Sequence, residues 1–320
     1  NWHGVGRQIT GEDTVKEAGL DWTVEQRPLF IGEQAYVWEE DGTNLQNLPT
    51  TELLPSHVVN YRSDTKTVLG IVGKNYNVLQ NEELAFLVET IESQTGVGVE
   101  SGQSMRGGKD VFFMIRNSGF KLPGEDEVET YHFFGNNHAG ERCFSILPTS
   151  ISLICSNQLN MLYAVNKKIS LTIRHTNSMM ERVKNAMEVI TQSEELGERF
   201  EEQCRHLASK DILKRGLRDY FDKVHVANYG PTPDPSSEEQ GDKAKLSRYF
   251  DRMDQWTLNF DEDTRPTSTW SALNAVTKWV DHDRTVRGEA KDPSLRTYAN
   301  TLGTAAKMKD RAFAMAMEMH

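Results

Sequence analysis

The spacing of apolar residues divides the chain into a first part with the two-residue period of β-strands and a second part with helical periodicity. Alternating or continuous short apolar runs predict strands at residues 22–30, 57–62, 67–72, 111–116, 131–134, 143–147 and 169–174. The turn at 63–66 joins two of them as a hairpin, whereas residues 38–53 are polar and typical of turns. The order of these strands indicates an antiparallel meander.

Apolar residues recur at helical spacing in two short segments of the first part and through most of the second. The predicted helices are 11–19, 81–93, a long one from about 178 to 213, 244–260, 268–282 and 295–319. Residues 229–243 carry three prolines in five positions and are predicted to be an exposed, mobile loop. The fold class that follows is α+β, an antiparallel β-meander core with helices followed by a mainly helical C-terminal part.

This pattern predicts four regions along the chain. Residues 1–195 are expected to form the mixed α+β core and 196–228 a helical extension, followed by the loop at 229–243 and a helical region at 244–320. Residues 151–165 have mixed strand and helix character.

Charge is distributed unevenly over the 320 residues, whose formal net charge is −11. Residues 1–100 carry 6 Lys or Arg against 16 Asp or Glu, whereas residues 101–320 carry 30 against 31. An acidic total argues against a surface that coats nucleic acid everywhere, but it leaves room for a local basic site. The three cysteines lack the spacing of a disulfide framework or a zinc site. With no membrane-spanning apolar run and no secretion signal, we expect a cytoplasmic protein of a bacterial host cell, with no membrane partner.

Chemical motifs give little support to an enzyme. The chain has no nucleophile elbow, kinase motif set, dinucleotide fingerprint or HExxH pair, so neither a catalytic residue nor a cofactor is predicted. The segment from Gly102 to Lys109 resembles a phosphate loop, but Asp110 and a strand follow it instead of a helix. A hairpin tip that carries two cations, either solvated or in contact with phosphates, is the better interpretation. The nine histidines show no metal-ligand spacing, so no metal site is predicted.

Basic residues that surround the predicted strands are the candidate binding site. Residues 142–180 contain four Lys or Arg and no acidic residue. The candidates for nucleic-acid contact are Arg106, Lys109, Arg142, Lys167, Lys168, Arg174 and His175. Tyr131, Phe134 or Tyr163 are candidates for stacking on bases. The alternative interpretation is a half-exposed sheet face with a few solvated cations.

Several segments occur in an order that resembles the phage/plasmid-like protein family, a family of unknown function from bacteriophages, plasmids and bacteria. They are residues 2–6, 18–24, 61–64, 69–72, Tyr76, 155–159, 173–176 and 281–282. Gln158 departs from the family pattern, which more often has a threonine there. The predicted order of elements is also similar to that of ring-forming single-strand annealing proteins of the recombination-mediator type.

Two functions are most consistent with these observations, and a hydrolase or nuclease is a distant third. The first is a phage-type DNA-metabolism protein that binds, and in the annealing case pairs, single-stranded DNA, with homo-oligomers as the expected form. The second is a protein-interaction or host-takeover factor whose acidic N-terminal half contacts a basic partner. Local basic clustering favours the first function, and the acidic first hundred residues favour the second.

Overall fold

The computed structural model describes residues 11–38, 45–95, 99–124, 126–152, 157–160, 171–176, 178–179, 181 and 193–319. Its strands are β1 (Val24–Trp38), β2 (Leu45–Arg62), β3 (Val68–Gly73), β4 (Val99–Met105), β5 (Asp110–Lys121), β6 (Glu127–Asn137), β7 (Phe144–Ser152), β8 (Asn157–Asn160) and β9 (Leu171–Ile173). Its helices are α1 (Gly11–Glu17), α2 (Asn81–Thr95), α3 (Ser193–Ala208), α4 (Lys214–Tyr229), α5 (Gln240–Asp261), α6 (Thr269–Lys278), α7 (Ser294–Thr301) and α8 (Thr304–Met317). The predicted α+β fold class is confirmed.

Within the described ranges the strands form two antiparallel sheets. The first has the order β1–β2–β3, and the second is a meander in the order β4–β5–β6–β7–β8, with β9 also paired to β7. Strands β1 and β2 extend beyond β3, which pairs only with residues 57–61 of β2. The outer part of this hairpin is therefore a two-stranded ribbon, which we call the arm and define as residues 30–38 and 45–53.

The second sheet is buried on both faces at its centre. Alternate residues of β5 point to opposite faces, and Val111, Phe113 and Ile115 belong to an apolar cluster with α2 and the first sheet. Phe112 and Met114 belong to a different cluster, against which α7 packs. This double coverage explains why the β5 segment is an uninterrupted apolar run.

The C-terminal helices share a third cluster with the far end of the second sheet. Phe120 and Val128, from β5 and β6, are buried together with residues of α3, α4, α5, α6 and α8. Trp256 and Trp270 are among its fully buried side chains. This cluster joins the sheet and the helices in one core. The division of the chain into four regions stays a prediction. No described helix is long and apolar enough to cross a membrane.

Two strands differ from the sequence-based predictions. β1 continues past Pro28 to Trp38, and β2 begins at Leu45 within the segment that reads as turns. Proline is tolerated because β1 is an edge strand and its register shifts between Pro28 and Phe30. Cross-strand pairing, which depends on residues far apart in the chain, overrides the local preferences here.

The predicted long helices are also interrupted. The helix expected to reach residue 213 ends at Ala208, and α4 begins at Lys214. The Lys210 carbonyl between them accepts a hydrogen bond from the Thr269 amide at 2.9 Å, a tertiary contact that periodicity does not reveal. The predicted helix at 268–282 is α6 followed by a π-helical turn, Trp279–Asp283. The one at 295–319 is divided into α7 and α8.

The predicted loop at 229–243 is a mostly exposed connection between α4 and α5, and α5 begins within it at Gln240. Its predicted mobility stays a prediction. The mixed segment predicted at 151–165 lies largely outside the described residues.

A buried carboxyl group on α8 gives the fold a pH-dependent stability. Burial raises the pKa of Asp310 to about 7, although the neighbouring Lys309 and Arg311 act in the opposite direction. Its Oδ1 has no hydrogen-bond partner. An unfolded aspartate titrates near pH ~4, so between about pH 4 and 7 the folded state keeps a proton that the unfolded state releases. The free energy of unfolding therefore falls as pH rises through this window, and levels off above it.

We expect Asp310→Asn to remove this decline. Well above pH ~7 the variant should be more stable than the parent by about 4 kcal/mol, since a shift of about three pKa units is worth about 1.4 kcal/mol per unit, and near pH ~4 the difference should vanish. Urea unfolding across this pH range measures it. Asp219→Asn, at an exposed position of α4, should follow the parent curve. An Asp310→Asn curve parallel to that of the parent would show that Asp310 is ionised in the fold.

Candidate nucleic-acid interface

Five of the seven candidate contact residues lie at one end of the second sheet: Arg106, Lys109, Arg142, Arg174 and His175. The β4–β5 connection carries the first two and the β6–β7 connection carries the third. β9 runs antiparallel to the start of β7 and leads into the last two. In a meander, alternate connections lie at the same end of the sheet. We call this set of connections the sheet end.

The backbone of the β4–β5 connection holds Arg106 in an unusual conformation. Arg106, Gly107 and Gly108 have φ angles of 53°, 70° and 100°, in the left-handed region that arginine seldom occupies. The Arg106 Nε donates a hydrogen bond to Asp110 Oδ2 at 2.6 Å, and its amide donates to Ser294 Oγ at 2.9 Å. Contacts from the next strand and from α7 therefore fix both the backbone and the guanidinium.

Two guanidinium groups share one aromatic ring at the sheet end. The Cζ atoms of Arg106 and Arg142 lie 4.3 and 4.7 Å from the centroid of the Tyr298 ring, which α7 supplies. Arg142 Nη2 also donates a hydrogen bond to the Tyr298 hydroxyl. Cation–π contacts of this kind hold a guanidinium in place without neutralising its charge.

A partly exposed carboxylate lies among the cations. Arg106 Nη2 lies 2.8 Å from Glu141 Oε2, and the hydrogen bond with Arg106 lowers the pKa of Glu141, with smaller contributions from Lys109 and Arg142. Burial opposes the charge on Arg106, but its hydrogen bonds with Asp110 and Glu141 outweigh that effect and raise its pKa. Three cations and two carboxylates leave this cluster with one net positive charge.

The two candidates that follow β9 have different environments. Arg174 is exposed, whereas His175 is buried, donates from Nδ1 to the Asn77 carbonyl at 3.1 Å and stacks on Tyr76. Burial lowers the pKa of His175 to about 4. The imidazole is therefore neutral at pH 7 and offers no positive charge to a phosphate.

A buried polar network fixes the β6–β7 connection against the first sheet. His138 Nε2 donates to Asn81 Oδ1 at 3.0 Å, and Asn60 Nδ2 donates to the His138 carbonyl at 2.7 Å. Burial lowers the pKa of His138 to about 3, so it is neutral at pH 7. Asn136 Nδ2 donates to the Leu79 carbonyl at 2.9 Å. These bonds pre-organise the backbone that precedes Arg142.

The remaining candidates fall into two groups. Lys167, Lys168 and Tyr163 are outside the described residues. Tyr131 and Phe134 are buried in the two apolar clusters of the second sheet, so their rings are not available to stack on bases. A binding groove across the sheet face is thus absent at β5 and β6, and the described candidates meet at the edge where these strands end.

Comparison with known proteins identifies the family of the chain. Residues 68–302 match the family described as Domain of unknown function (DUF932). The chain belongs to this family. No curated protein and no solved structure matches it.

The DUF932 match includes the whole sheet end. It spans the β4–β5 and β6–β7 connections and ends at residue 302, shortly after Tyr298 on α7. Strands β1 and β2, and with them the arm, precede the matched range.

Sequence reasoning missed three residues that shape this part of the DUF932 chain. The sequence could have indicated Asp110 and Glu141 as ion-pair partners, because each stands directly next to a candidate cation. Tyr298 lies 156 residues after Arg142 and gave no signal. Among the described residues, no three histidine, cysteine, aspartate or glutamate side chains are grouped to hold a metal ion.

Proposed function

We propose that the sheet end of this DUF932 protein binds the phosphate backbone of single-stranded nucleic acid, and that the protein acts in DNA metabolism, including strand annealing. The observation that carries the proposal is the gathering of Arg106, Lys109 and Arg142 around one carboxylate, with exposed Arg174 at the neighbouring strand end. Sequence resemblance to the phage/plasmid-like family supports a role in a mobile element.

The residues divide into two roles under this proposal. Lys109 and Arg174 contact phosphates directly, because neither is held by the ion pairs that fix Arg106. Arg142 keeps its charge while it stacks on Tyr298, so it can contact a phosphate from a fixed position. Arg106, bound to Asp110 and Glu141, is a positioning residue that orders the β4–β5 connection.

We expect the double variant Lys109→Gln/Arg174→Gln to bind a labelled single-stranded oligonucleotide more weakly, with little dependence on base sequence. Each lost phosphate contact on a single strand lowers the slope of log affinity against log salt by about 0.7, so the slope should fall by about 1.4. Fluorescence anisotropy at several salt concentrations measures both quantities. Annealing of complementary oligonucleotides should slow in parallel.

Lys121→Gln is the matched control, because Lys121 is an exposed cation at the opposite end of β5. It should leave affinity and slope unchanged. Equal losses in both proteins would indicate nonspecific attraction, and a parent protein that binds no oligonucleotide at low salt would exclude the function. The double variant Lys167→Gln/Lys168→Gln tests the two candidates outside the described residues.

A second candidate function, interaction with another protein, is favoured by one observation. The arm exposes apolar side chains within the acidic first hundred residues, and exposed apolar surface on a narrow ribbon is typical of a docking element.

A further inference from the structure

Two arginines of the helical part approach the end of α4. Arg252, on α5, places its guanidinium Cζ 3.9 Å from the centroid of the ring of Tyr229, the last residue of α4. Arg284 follows the π-helical turn after α6. Both arginines are partly exposed, and the Nε of each is enclosed without a hydrogen-bond partner among the described residues. Enclosed N–H donors without a protein acceptor are one sign of a ligand site.

Ring contacts join the elements that carry the two arginines. Arg252 and Trp256 are four residues apart on α5 and therefore share a face of the helix. The ring of Trp256 meets that of Trp279 edge to face, with centroids 5.9 Å apart. The Arg284 amide in turn donates to the Trp279 carbonyl at 2.8 Å. The position of Arg284 is thus fixed relative to the face of α5 that carries Arg252.

Tyr229 is close to both guanidinium groups. Burial raises the pKa of its hydroxyl, whereas the positive charges of Arg252 and Arg284 act in the opposite direction. The hydroxyl donates to the Sδ of Met308 at 3.6 Å, which is a weak acceptor. Tyr229 is 44% exposed, so a ligand from solution can reach this place.

The positive charge of Arg252 is poorly compensated. Burial lowers the pKa of Arg252, and Arg248, one turn earlier on α5, adds to this effect. Tyr229 and Asp251 act in the opposite direction, but the pKa remains lowered. A cation that its surroundings destabilise in this way is stabilised when an anion binds next to it.

Ion pairing separates these two arginines from others in the helical part. Arg265 and Arg296 are each bound to a carboxylate. In the part of the chain that the structure describes, neither Arg252 nor Arg284 forms an ion pair with a carboxylate. Guanidinium groups bind phosphate oxygens through parallel N–H groups. Two guanidinium groups without a carboxylate partner are therefore suited to a phosphate group.

The charges around this place favour a compact phosphate group over a nucleic-acid strand. Residues 230–239, which follow Tyr229, contain three acidic residues and no Lys or Arg. Helix α5 carries four Lys or Arg and four Asp. A strand requires a positively charged groove that follows its backbone, and these segments do not provide one. A single phosphate group needs only the two guanidinium groups.

We propose that Arg252, Arg284 and Tyr229 bind the phosphate group of a small phosphorylated molecule. We call these three residues the arginine site. The two guanidinium groups donate to the phosphate oxygens, and Tyr229 holds Arg252 with its ring and offers its hydroxyl as a further donor. The arginine site has no residue in common with the sheet end, so the inference does not depend on the proposed function.

Thermal unfolding of the full chain in sodium phosphate, compared with sodium chloride of equal ionic strength, tests the proposal. A ligand that binds the folded state alone raises the unfolding midpoint, so phosphate should raise the midpoint of the parent protein. Arg252→Met/Arg284→Met should weaken phosphate binding by at least about tenfold, because the loss of one charge-assisted hydrogen bond weakens binding by about that factor. The double variant should therefore need at least about ten times more phosphate for the same rise.

Arg215→Met is the matched control, since Arg215 is an exposed cation at the start of α4, about 20 Å along the helix from Tyr229. It should respond to phosphate like the parent. A parent that does not respond would overturn the proposal. An equal response of the parent and the double variant would also overturn it, because phosphate would then stabilise only as a salt excluded from the protein surface.

Further measurements separate the arginine site from nucleic-acid binding. Lys109→Gln/Arg174→Gln, which alters the sheet end, should keep the full response to phosphate. If an oligonucleotide without terminal phosphates raised the midpoint through the arginine site and inorganic phosphate did not, the ligand would be a strand and the proposal would be wrong. Should circular dichroism show the double variant to be unfolded, Arg284→Gln replaces it and should also need about ten times more phosphate. An unchanged response of folded Arg284→Gln would count against the site.

Discussion

Replacing Asp126 with alanine is expected to lower the free energy of unfolding by about 3–5 kcal/mol, because the change leaves a buried arginine and a buried indole without their shared partner. Asp126 lies in the turn between β5 and β6 and is fully buried. Its Oδ2 accepts hydrogen bonds from Arg265 Nη1 at 2.7 Å and from Trp270 Nε1 at 2.9 Å. Urea unfolding followed by tryptophan fluorescence measures the loss.

The size of this effect follows from where the ion pair lies. Arg265 also forms an ion pair with Asp263, in which Nη2 lies 2.7 Å from Oδ2. The contact with Asp126 differs because it connects the sheet to the segment that precedes α6. A Cβ on Gly124 in the same turn would come within 2.5 Å of Pro266 Cδ, so the turn fits closely against this segment. Removing the carboxylate therefore weakens the joint between the meander and the helices.

Two comparisons separate this effect from a general loss of charge. Glu262→Ala removes the exposed ion pair with Lys278 and should cost less than about 1 kcal/mol. Asp126→Asn should cost less than Asp126→Ala, because the amide oxygen can still accept hydrogen bonds from Arg265 and Trp270. If Asp126→Ala cost no more than Glu262→Ala, the joint would not depend on this carboxylate.

The sequence predicts the meander and the helical C-terminal part because local patterns determine them. The apolar run in β5 and the spacing of Leu84, Leu87 and Val88 in α2 record which faces are buried. Local apolar patterns do not predict the length of β1 and β2. The arm is held by pairing between residues up to about two dozen positions apart, and only residues 38–53 have a composition typical of turns.

The sheet end could be predicted only as a set of cations. Local sequence shows that Arg106, Lys109 and Arg142 are basic, but not that α7 brings Tyr298 between two of them. It also cannot show that His175 is buried against Tyr76 and therefore neutral. These properties arise from contacts between distant segments, which a periodicity argument does not contain.

Close packing between the two sheets gives the last prediction, a loss of about 3 kcal/mol or more in Gly70→Ala, which places a methyl group where there is no space. A Cβ at Gly70 would lie 2.4 Å from the Ala139 carbonyl oxygen and 2.6 Å from its Cα. Both are backbone atoms, so no side-chain rotation relieves the clash and the strand or the β6–β7 connection must move. Urea unfolding measures the loss, and hydrogen exchange at β3 locates it.

Gly73→Ala provides the matched control, because it makes the same substitution in the same strand where a Cβ would have no atom within 4 Å. It should be neutral or slightly stabilising, since alanine restricts the unfolded chain more than glycine does. Equal stability of the two variants would contradict the close approach of β3 and Ala139. Movement of Ala139 also disturbs the bond from Asn60 to the His138 carbonyl, and with it the backbone that positions Arg142. Under the proposed function, Gly70→Ala should therefore weaken oligonucleotide binding at temperatures where the protein is still folded, whereas a purely scaffolding contact would lower stability and leave affinity unchanged.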